Sequence, residues 1–325
     1  MIRLSVLDQS PIAEGSTAGE ALHNSLDLAR LTEELGYHRY WLAEHHRMPA
    51  LACASPEVMI AAVAAATTRI RVGSGGIMLP HYSPLKVAET FSMLAGLFPG
   101  RIDLGVGRAA GTSGAVARAL QRDRRQPLPD DFLDQLTELL GYFVPKSGFH
   151  APDPALLGSS EQSAIWAAEL GLPYVFADFI NPSGAGAARE YRRLFQPSGR
   201  LRVPRVAVAV SAICAGTDEQ AKRLSMSQRM VAVSLFRGHL IPVPSVERAE
   251  RFVREEGVPL EMIPAGRRLI TGDPNRVRAA LKSVADEYGA EEVFVVNLIH
   301  DHAARRRCYE LIASGFRPAQ GTKAV

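Results

Sequence analysis

The sequence is poor in the features that mark secreted and membrane-spanning proteins. It has 325 residues and only three cysteines, Cys53, Cys214 and Cys308, which are odd in number and lie outside any Cys-x-x-Cys motif. Neither a disulfide framework nor a zinc site is therefore predicted. No apolar run approaches the ~18 residues that a membrane span needs, and the amino-terminal apolar run is too short for a signal peptide. We expect a cytoplasmic protein.

The chain also lacks a large excess of charge of one sign. Its 37 basic and 34 acidic residues give a net charge of +3. Its arginine-rich stretches are short and lack the interleaved aromatic residues that nucleic-acid surfaces use. Hydrophobic residues make up 47% and charged residues 22% of the chain, values that are typical of a folded globular protein. Neither nucleic acid nor a membrane is predicted as a partner.

Short apolar runs alternate with segments of helical period through most of the chain. Repeated strand–helix units indicate a parallel sheet, which makes this an α/β protein. Eight such strands favour a closed (β/α)8 TIM barrel over an open doubly wound sheet of five or six strands. The predicted strands are residues 2–8, 39–43, 70–74, 102–106, 155–157, 174–177, 206–213 and 293–297.

Two stretches do not fit this repeat and read as insertions. Residues 111–129 are rich in Gly, Arg and Pro, and residues 240–268 contain four prolines. Long irregular insertions on a barrel usually line or cover its active-site face. We therefore expect one barrel domain over residues 1–325, with both insertions as candidates for a substrate lid.

A histidine pair follows the second predicted strand, in the sequence Glu44-His45-His46. Barrel enzymes place catalytic groups at this end of their strands. Because adjacent strand residues point to opposite sides, only one of His45 and His46 can face the barrel mouth. The spacing, even with His81 nearby, matches no standard metal site, so no metal is predicted. The inward imidazole is either a structural hydrogen-bonding group or a general acid or base.

A possible anion site follows the fourth and fifth predicted strands. Arg108 comes directly after the fourth strand, and a guanidinium there can bind phosphate oxygens or form a surface salt bridge. Ser159, Ser160 and Ser163 follow the fifth strand, where a helix begins. The free amides of a helix start form a natural phosphate seat, while a simple N-cap is the alternative reading of the serines.

Glycines mark the ends of the third and fourth predicted strands. Gly75 and Gly76 allow either the close approach of a flat ring or a plain turn. Residues 105–110 match the glycine fingerprint of dinucleotide-binding folds. However, no strand ending in Asp or Glu follows about twenty residues later, as ribose binding would require. A dinucleotide site is therefore not predicted.

In order and spacing, these motifs resemble those of the luciferase-like flavin-dependent monooxygenases. The resemblance rests on residues 41–46, 72–80 and 100–108, and it continues through Ser160, Ser163, residues 166–173 and residues 271–274. It implies a (β/α)8 barrel that receives reduced FMN (FMNH2) from a separate flavin reductase. The flavin would react with O2 to a C4a-peroxyflavin and oxygenate a small organic substrate, in some relatives during natural-product tailoring. A homodimer is implied as well.

The resemblance also assigns roles to single residues. His45 matches the family histidine that steadies the peroxyflavin and manages its proton. The other matches concern flavin binding, with Arg108, Ser160 and Ser163 at the phosphate and a non-proline cis peptide between Gly75 and Gly76.

Two other functions stay open at this point. Dehydrogenases or reductases that use the deazaflavin F420 share these motifs and transfer a hydride without oxygen uptake. A non-catalytic flavin-binding barrel is the second alternative, although the intact Glu44-His45-His46 motif disfavours it. A Schiff-base lyase or aldolase is disfavoured because no lysine lies at a clear strand end.

Overall fold

The computed structural model describes residues 2–108, 114–120, 130–144, 148–257 and 268–316. These residues form nine parallel strands, namely β1 (Arg3–Asp8), β2 (Arg39–Leu42), β3 (Arg71–Met78), β4 (Ile102–Gly107), β5 (Asp153–Gly158), β6 (Tyr174–Ala177), β7 (Val206–Cys214), β8 (Leu269–Gly272) and β9 (Glu292–Val296). Strands β1 to β7 pair in chain order, and β9 pairs with both β7 and β1. Eight strands thus close a ring, which confirms the predicted TIM barrel.

Helices connect the strands, and local sequence signals set several of their ends. Thr17 and Glu20 form a capping box at the first helix, and Gly36 ends that helix with a φ of 84°. Pro56 and Pro84 occupy the first turns of the next two helices. Within the described residues, no helix combines the length and the apolar character needed to cross a membrane. The helices are α1 (Ala18–Leu35), α2 (Pro56–Ala66), α3 (Pro84–Leu97), α4 (Gly114–Leu120), α5 (Phe132–Gly141), α6 (Glu161–Glu169), α7 (Ala185–Leu194), α8 (Asp218–Phe236), α9 (Val246–Glu256), α10 (Pro274–Tyr288) and α11 (His302–Phe316).

Strand β8 lies outside the closed barrel, and the sequence pattern does not predict it. The nine-residue β7 pairs with β9 from Ala207 to Ser211 and with β8 from Ser211 to Cys214. The carboxyl end of β7 therefore extends past the barrel and offers a free edge to β8. Four residues are too few to give β8 a readable apolar period.

Paired charged side chains occupy the amino end of the barrel. Asp103 is fully buried, accepts a hydrogen bond from Trp41 Nε1 at 2.8 Å, and forms ion pairs with Arg39 and Arg71. Just inside this layer, the Trp41 and Phe294 rings pack with centroids 4.5 Å apart. The carboxylate is thus compensated on several sides, as a buried charge must be. This end of the barrel serves stability.

Strands β3 and β4 approach each other closely because glycines lie between them. A Cβ on Gly105 would lie 2.1 Å from the Ser74 carbonyl oxygen, and one on Gly76 would lie 2.8 Å from the Gly105 carbonyl oxygen. The pairing register shifts between Ser74 and Ile77, and the Gly75–Gly76 peptide is cis, as the resemblance implied. Both glycines lie inside β3, which runs to residue 78 and not to the predicted end at residue 74. The reading of these glycines as a plain turn is therefore wrong.

We expect Gly105→Ala to lower the free energy of unfolding by about 2 kcal/mol or more, because the added methyl would overlap backbone atoms that cannot rotate away. Urea unfolding measures the change. Gly107→Ala in the same strand is the matched control, since its Cβ would meet nothing nearer than Met78 Sδ at 3.6 Å. Equal stabilities of the two variants would contradict this account of the β3–β4 contact.

Each of the two predicted insertions contains a helix. In the first, residues 114–120 form α4, while residues 111–113 and 121–129 lie outside the described residues. In the second, residues 246–256 form α9, which packs against α8 through Ala249, Met230 and Val233. Residues 258–267 lie outside the described residues. An irregular loop is thus the wrong expectation for residues 246–256, where apolar residues at helical spacing pack against α8.

Candidate active site

A cavity of about 470 Å³ lies at the carboxyl ends of the barrel strands. Its lining includes Gln9 after β1, Phe179 after β6, and Val296 at the end of β9, together with one side of α8. A second cavity, of about 580 Å³, lies at the amino end beside Arg39 and Glu292. Barrel enzymes carry out chemistry at the carboxyl end, so the first cavity is the candidate active site.

His45 lines this cavity, as the sequence predicts. Its backbone N–H donates to the Cys53 carbonyl oxygen at 2.9 Å, which fixes the residue after β2. Its Nδ1 is buried and, among the described residues, has no hydrogen-bond partner. Burial and, to a smaller extent, the neighbouring His46 lower the pKa of His45 to about 4. The imidazole is therefore neutral at pH 7.

His46 points away from the cavity, which confirms the alternation argument. Its Nε2 lies 2.7 Å from Glu44 Oε1. Its ring packs edge-on against the His81 ring, with the two ring centroids 5.7 Å apart. Glu44 is fully buried and also accepts hydrogen bonds from Met78 N at 2.9 Å and Tyr82 OH at 2.8 Å. Glu44 thus holds the chain that leaves β3, a role that sequence reasoning missed. In the sequence, this role of Glu44 is indicated only by the presence of an acidic residue next to two histidines.

Arg108 follows β4 and lies against α6, the helix that follows β5. The guanidinium of the exposed Arg108 lies 5.4 Å from the centre of the Trp166 ring in α6. Ser160 is the N-cap of α6, and its Oγ accepts from Ser163 N at 3.4 Å. Trp166 packs against the hydrophobic core, as its apolar ring predicts, and its ring centroid lies 5.4 Å from that of Phe132. It also contacts the Arg108 guanidinium through a cation–π interaction.

The three predicted serines differ in what they can offer a ligand. The Ser163 hydroxyl donates to the Ser160 carbonyl oxygen at 2.7 Å and lies 2.9 Å from Tyr174 OH, so it serves the helix start. The Ser159 carbonyl oxygen accepts from Asn181 Nδ2 at 3.0 Å. Ser160 is exposed, and the first amides of a helix have no intrahelical acceptor. An anion would therefore meet Ser160 and the first-turn amides of α6.

The barrel mouth divides into two adjoining arcs. Gly75, Gly76, Arg108 and Ser160 belong to the arc of β3, β4 and β5. The residues that line the cavity belong instead to the second arc, which runs through β6, β7 and β9 to β1 and β2. His45 follows β2, the neighbour of β3, and so lies where the two arcs meet. The arc of β3, β4 and β5 carries groups that could bind an anion. The other arc forms the largely apolar cavity.

Comparison with known proteins identifies the family of this chain. Residues 2–293 match the family model of the luciferase-like monooxygenases. A luciferase-like monooxygenase of Escherichia coli (strain K12) is 41% identical over 95% of this chain and 96% of that protein. The N-acetyl-S-alkylcysteine monooxygenase of Bacillus subtilis (strain 168) is 37% identical over 98% of this chain and all of that protein. The chain belongs to the luciferase-like monooxygenase family and is an enzyme.

Solved structures agree with this assignment. The crystal structure of apo-MsnO8 matches with a TM-score of 0.90 at 41% identity, over 97% of this chain and 98% of that one. Two distant structures share the fold alone. They are the oxygenating constituent of 3,6-diketocamphane monooxygenase in complex with FMN, at 19% identity and a TM-score of 0.70, and an F420-dependent secondary alcohol dehydrogenase, at 14% and 0.67. The fold by itself therefore does not select the cofactor.

The low pKa of His45 predicts a loss of stability in acid. An unfolded histidine has a pKa of about 6.5, whereas the folded value is about 4. Between these values the unfolded chain binds a proton that the folded chain does not, so stability falls as the pH drops from about 6.5 towards 4. Above about pH 6.5 His45 is neutral in both the folded and the unfolded chain, so the stability that depends on its neutral form is fully present.

Replacing His45 with glutamine should remove this dependence. We expect the loss of unfolding free energy between about pH 7 and pH 4.5 to shrink by about 2 kcal/mol in His45→Gln. Urea unfolding at the two pH values measures it, and His23→Gln on the exposed side of α1 is the control. An unchanged loss in His45→Gln would show that the pKa of His45 is not lowered.

Proposed function

We propose that this enzyme is the oxygenating component of a two-component monooxygenase. It takes reduced FMN from a separate flavin reductase and uses O2 to transfer one oxygen atom to a small organic substrate, with water and FMN as the other products. The observation that carries the proposal is the position of His45, a neutral imidazole whose Nδ1 has no partner among the described residues, on the apolar cavity beside the arc of β3, β4 and β5.

The residues of the β3–β5 arc fit FMN. Arg108, Ser160 and the first amides of α6 would hold the phosphate, since a guanidinium and a helix start both favour an anion. Gly75 and Gly76 would leave the flavin side of β3 free of side chains. When bound there, reduced FMN supplies the electrons that activate O2.

The protein's own groups would then control protons and water. The neutral His45 lines the cavity and can accept a hydrogen bond or a proton at a ring nitrogen. Glu44 keeps the end of β3 in place through Met78 N. The apolar walls of the cavity exclude water, which protects a reactive site from hydrolysis and side reactions.

A reductase-coupled assay tests the proposed function. N-acetyl-S-alkylcysteines are the first compounds to try, because a relative that is 37% identical over its whole length is named for them. With FMN, NADH and a flavin reductase, we expect a product heavier by one oxygen atom, labelled when ¹⁸O2 is used. Absence of label across thioether, aldehyde and ketone substrates, or turnover with reduced F420 under nitrogen, would overturn the proposal.

The proposal includes a homodimer formed through α2 and α3. These neighbouring helices expose Val58, Met93 and Leu97, each about two-thirds accessible. Exposed apolar side chains are typical of an interface, and Met93 and Leu97 lie one turn apart on the same side of α3. We expect the double variant Met93→Asp, Leu97→Asp to run as a monomer in light scattering, whereas Val203→Asp, at an exposed residue elsewhere, stays dimeric. A monomeric native protein would contradict this part.

A further inference from the structure

Gln228 brings a carboxamide into the largely apolar cavity. The residue lies on α8, and its Nε2 donates to Ser211 Oγ at 2.5 Å. Its Oε1 accepts from the backbone N–H of Leu298 at 2.9 Å. Ser211 belongs to β7, and Leu298 follows β9, so this one side chain joins α8 to two parts of the barrel mouth. These two hydrogen bonds fix the position of the carboxamide.

The surrounding hydrogen bonds also fix which way the carboxamide faces. Leu298 N is a donor and requires the oxygen of Gln228. The Ser211 hydroxyl lies 3.5 Å from the Val296 carbonyl oxygen and donates to it, which leaves Ser211 Oγ as an acceptor for Nε2. An amide nitrogen carries two hydrogens. Within the described residues the second hydrogen of Nε2 has no acceptor, so Gln228, which lines the cavity, retains one N–H donor.

The rest of the cavity selects what can lie against this donor. The wall is built mainly from aliphatic and aromatic side chains, and no Asp or Glu is among its described lining residues. Arg229 and Arg268 also line the cavity, and Arg268 Nη1 is paired with Glu287 Oε2 at 2.9 Å. The environment disfavours a cation, because burying an unpaired charge is costly.

We propose that Gln228 is a specificity-determining residue that donates a hydrogen bond to a carbonyl-type oxygen of the substrate. The substrate class is a molecule with an apolar chain that fills the cavity and one amide, ester or ketone oxygen that meets Gln228 Nε2. The inference rests on the proposed function in placing the substrate in this cavity. It adds which polar group of the substrate is recognised and by which side chain.

Ligand binding to the flavin-free protein tests this inference without any oxygen chemistry. Two probes share a chain length and differ in the head group: N-methyloctanamide offers a carbonyl oxygen, and octylammonium offers only donors. Calorimetry gives their dissociation constants. We expect the amide to bind at least about tenfold more tightly than the ammonium, the size expected of one hydrogen bond against an uncompensated charge.

Two variants separate recognition from folding. Gln228→Glu keeps the shape and the acceptor for Leu298 N but removes the donor, so we expect the amide to weaken about tenfold and the ammonium to gain. Gln228→Leu should weaken the amide without helping the ammonium. Gln220→Leu on an exposed part of the same helix is the control and should change neither. A merely structural role of Gln228 would not invert the preference between the probes.

The outcomes are distinguishable from a failure of the proposed function. If the native protein prefers the amide and Gln228→Glu inverts this preference, the inference stands even if FMNH2 and O2 give no product. If oxygenation is found but both probes bind alike, or Gln228→Glu retains the native preference, the inference is wrong while the monooxygenase stands.

Discussion

Replacing His45 with alanine is expected to lower product formed per FMNH2 consumed by about 100-fold or more, with hydrogen peroxide released in its place. General acid–base groups contribute about 10²- to 10⁴-fold to the steps that they serve. His45 is the group that lines the cavity with a neutral ring and a nitrogen lacking a partner among the described residues. Product and peroxide are measured in the same single-turnover reaction with photoreduced FMN and air.

The matched control for this substitution is His23→Ala. His23 is exposed on α1 and bonds only to the Gly19 carbonyl oxygen, at 2.9 Å, among the described residues. Its removal should leave the ratio of product to peroxide unchanged. Thermal unfolding of both variants shows whether the barrel is intact. A His45→Ala enzyme that is folded and keeps the native ratio would remove His45 from the chemistry.

Replacing Arg108 with alanine is expected to raise the dissociation constant of FMN about 10- to 100-fold and to leave that of riboflavin almost unchanged. A charge-assisted hydrogen bond to phosphate has about this effect on affinity. Arg108 lies over Trp166 of α6, the helix whose amino end would favour an anion. Riboflavin lacks the phosphate, so the difference between the two ligands isolates the role of the guanidinium.

Arg30→Ala on the exposed face of α1 is the control, since it removes the same charge at a position that is far in the sequence from the proposed phosphate site. It should leave both flavin affinities as they are. Fluorescence titration measures all four constants. An equal loss for FMN and riboflavin in Arg108→Ala would mean that Arg108 supports the fold of the site and not the phosphate.

The barrel and half of the site could be predicted because their signals are local. Apolar runs and helical periods depend on neighbouring residues, and they locate all eight barrel strands. The alternation of side chains along a strand is enough to predict that only one of His45 and His46 faces the barrel mouth, and the resemblance selects His45. The four-residue β8 was missed because its pairing depends on how far β7 extends beyond the ring.

The remaining site residues could not be predicted because their roles depend on contacts between distant segments. Gln228 is 70 residues from Leu298 in the sequence, and Glu44 is 34 residues from Met78. Nothing in a single sequence distinguishes Gln228 from any other polar residue of an amphipathic helix. The packing use of Gly105 is hidden in the same way, because a glycine is equally compatible with a turn and with close strand contact.

Anaerobic titration of the protein with FMNH2 and, separately, with reduced F420, each followed by air, tests the central claim most directly. We predict stoichiometric binding of FMNH2 and rapid oxygen uptake when air is admitted, with weak binding of reduced F420. Tight binding of reduced F420 without oxygen uptake, together with weak binding of FMNH2, would contradict the assignment of this site to flavin-dependent oxygenation.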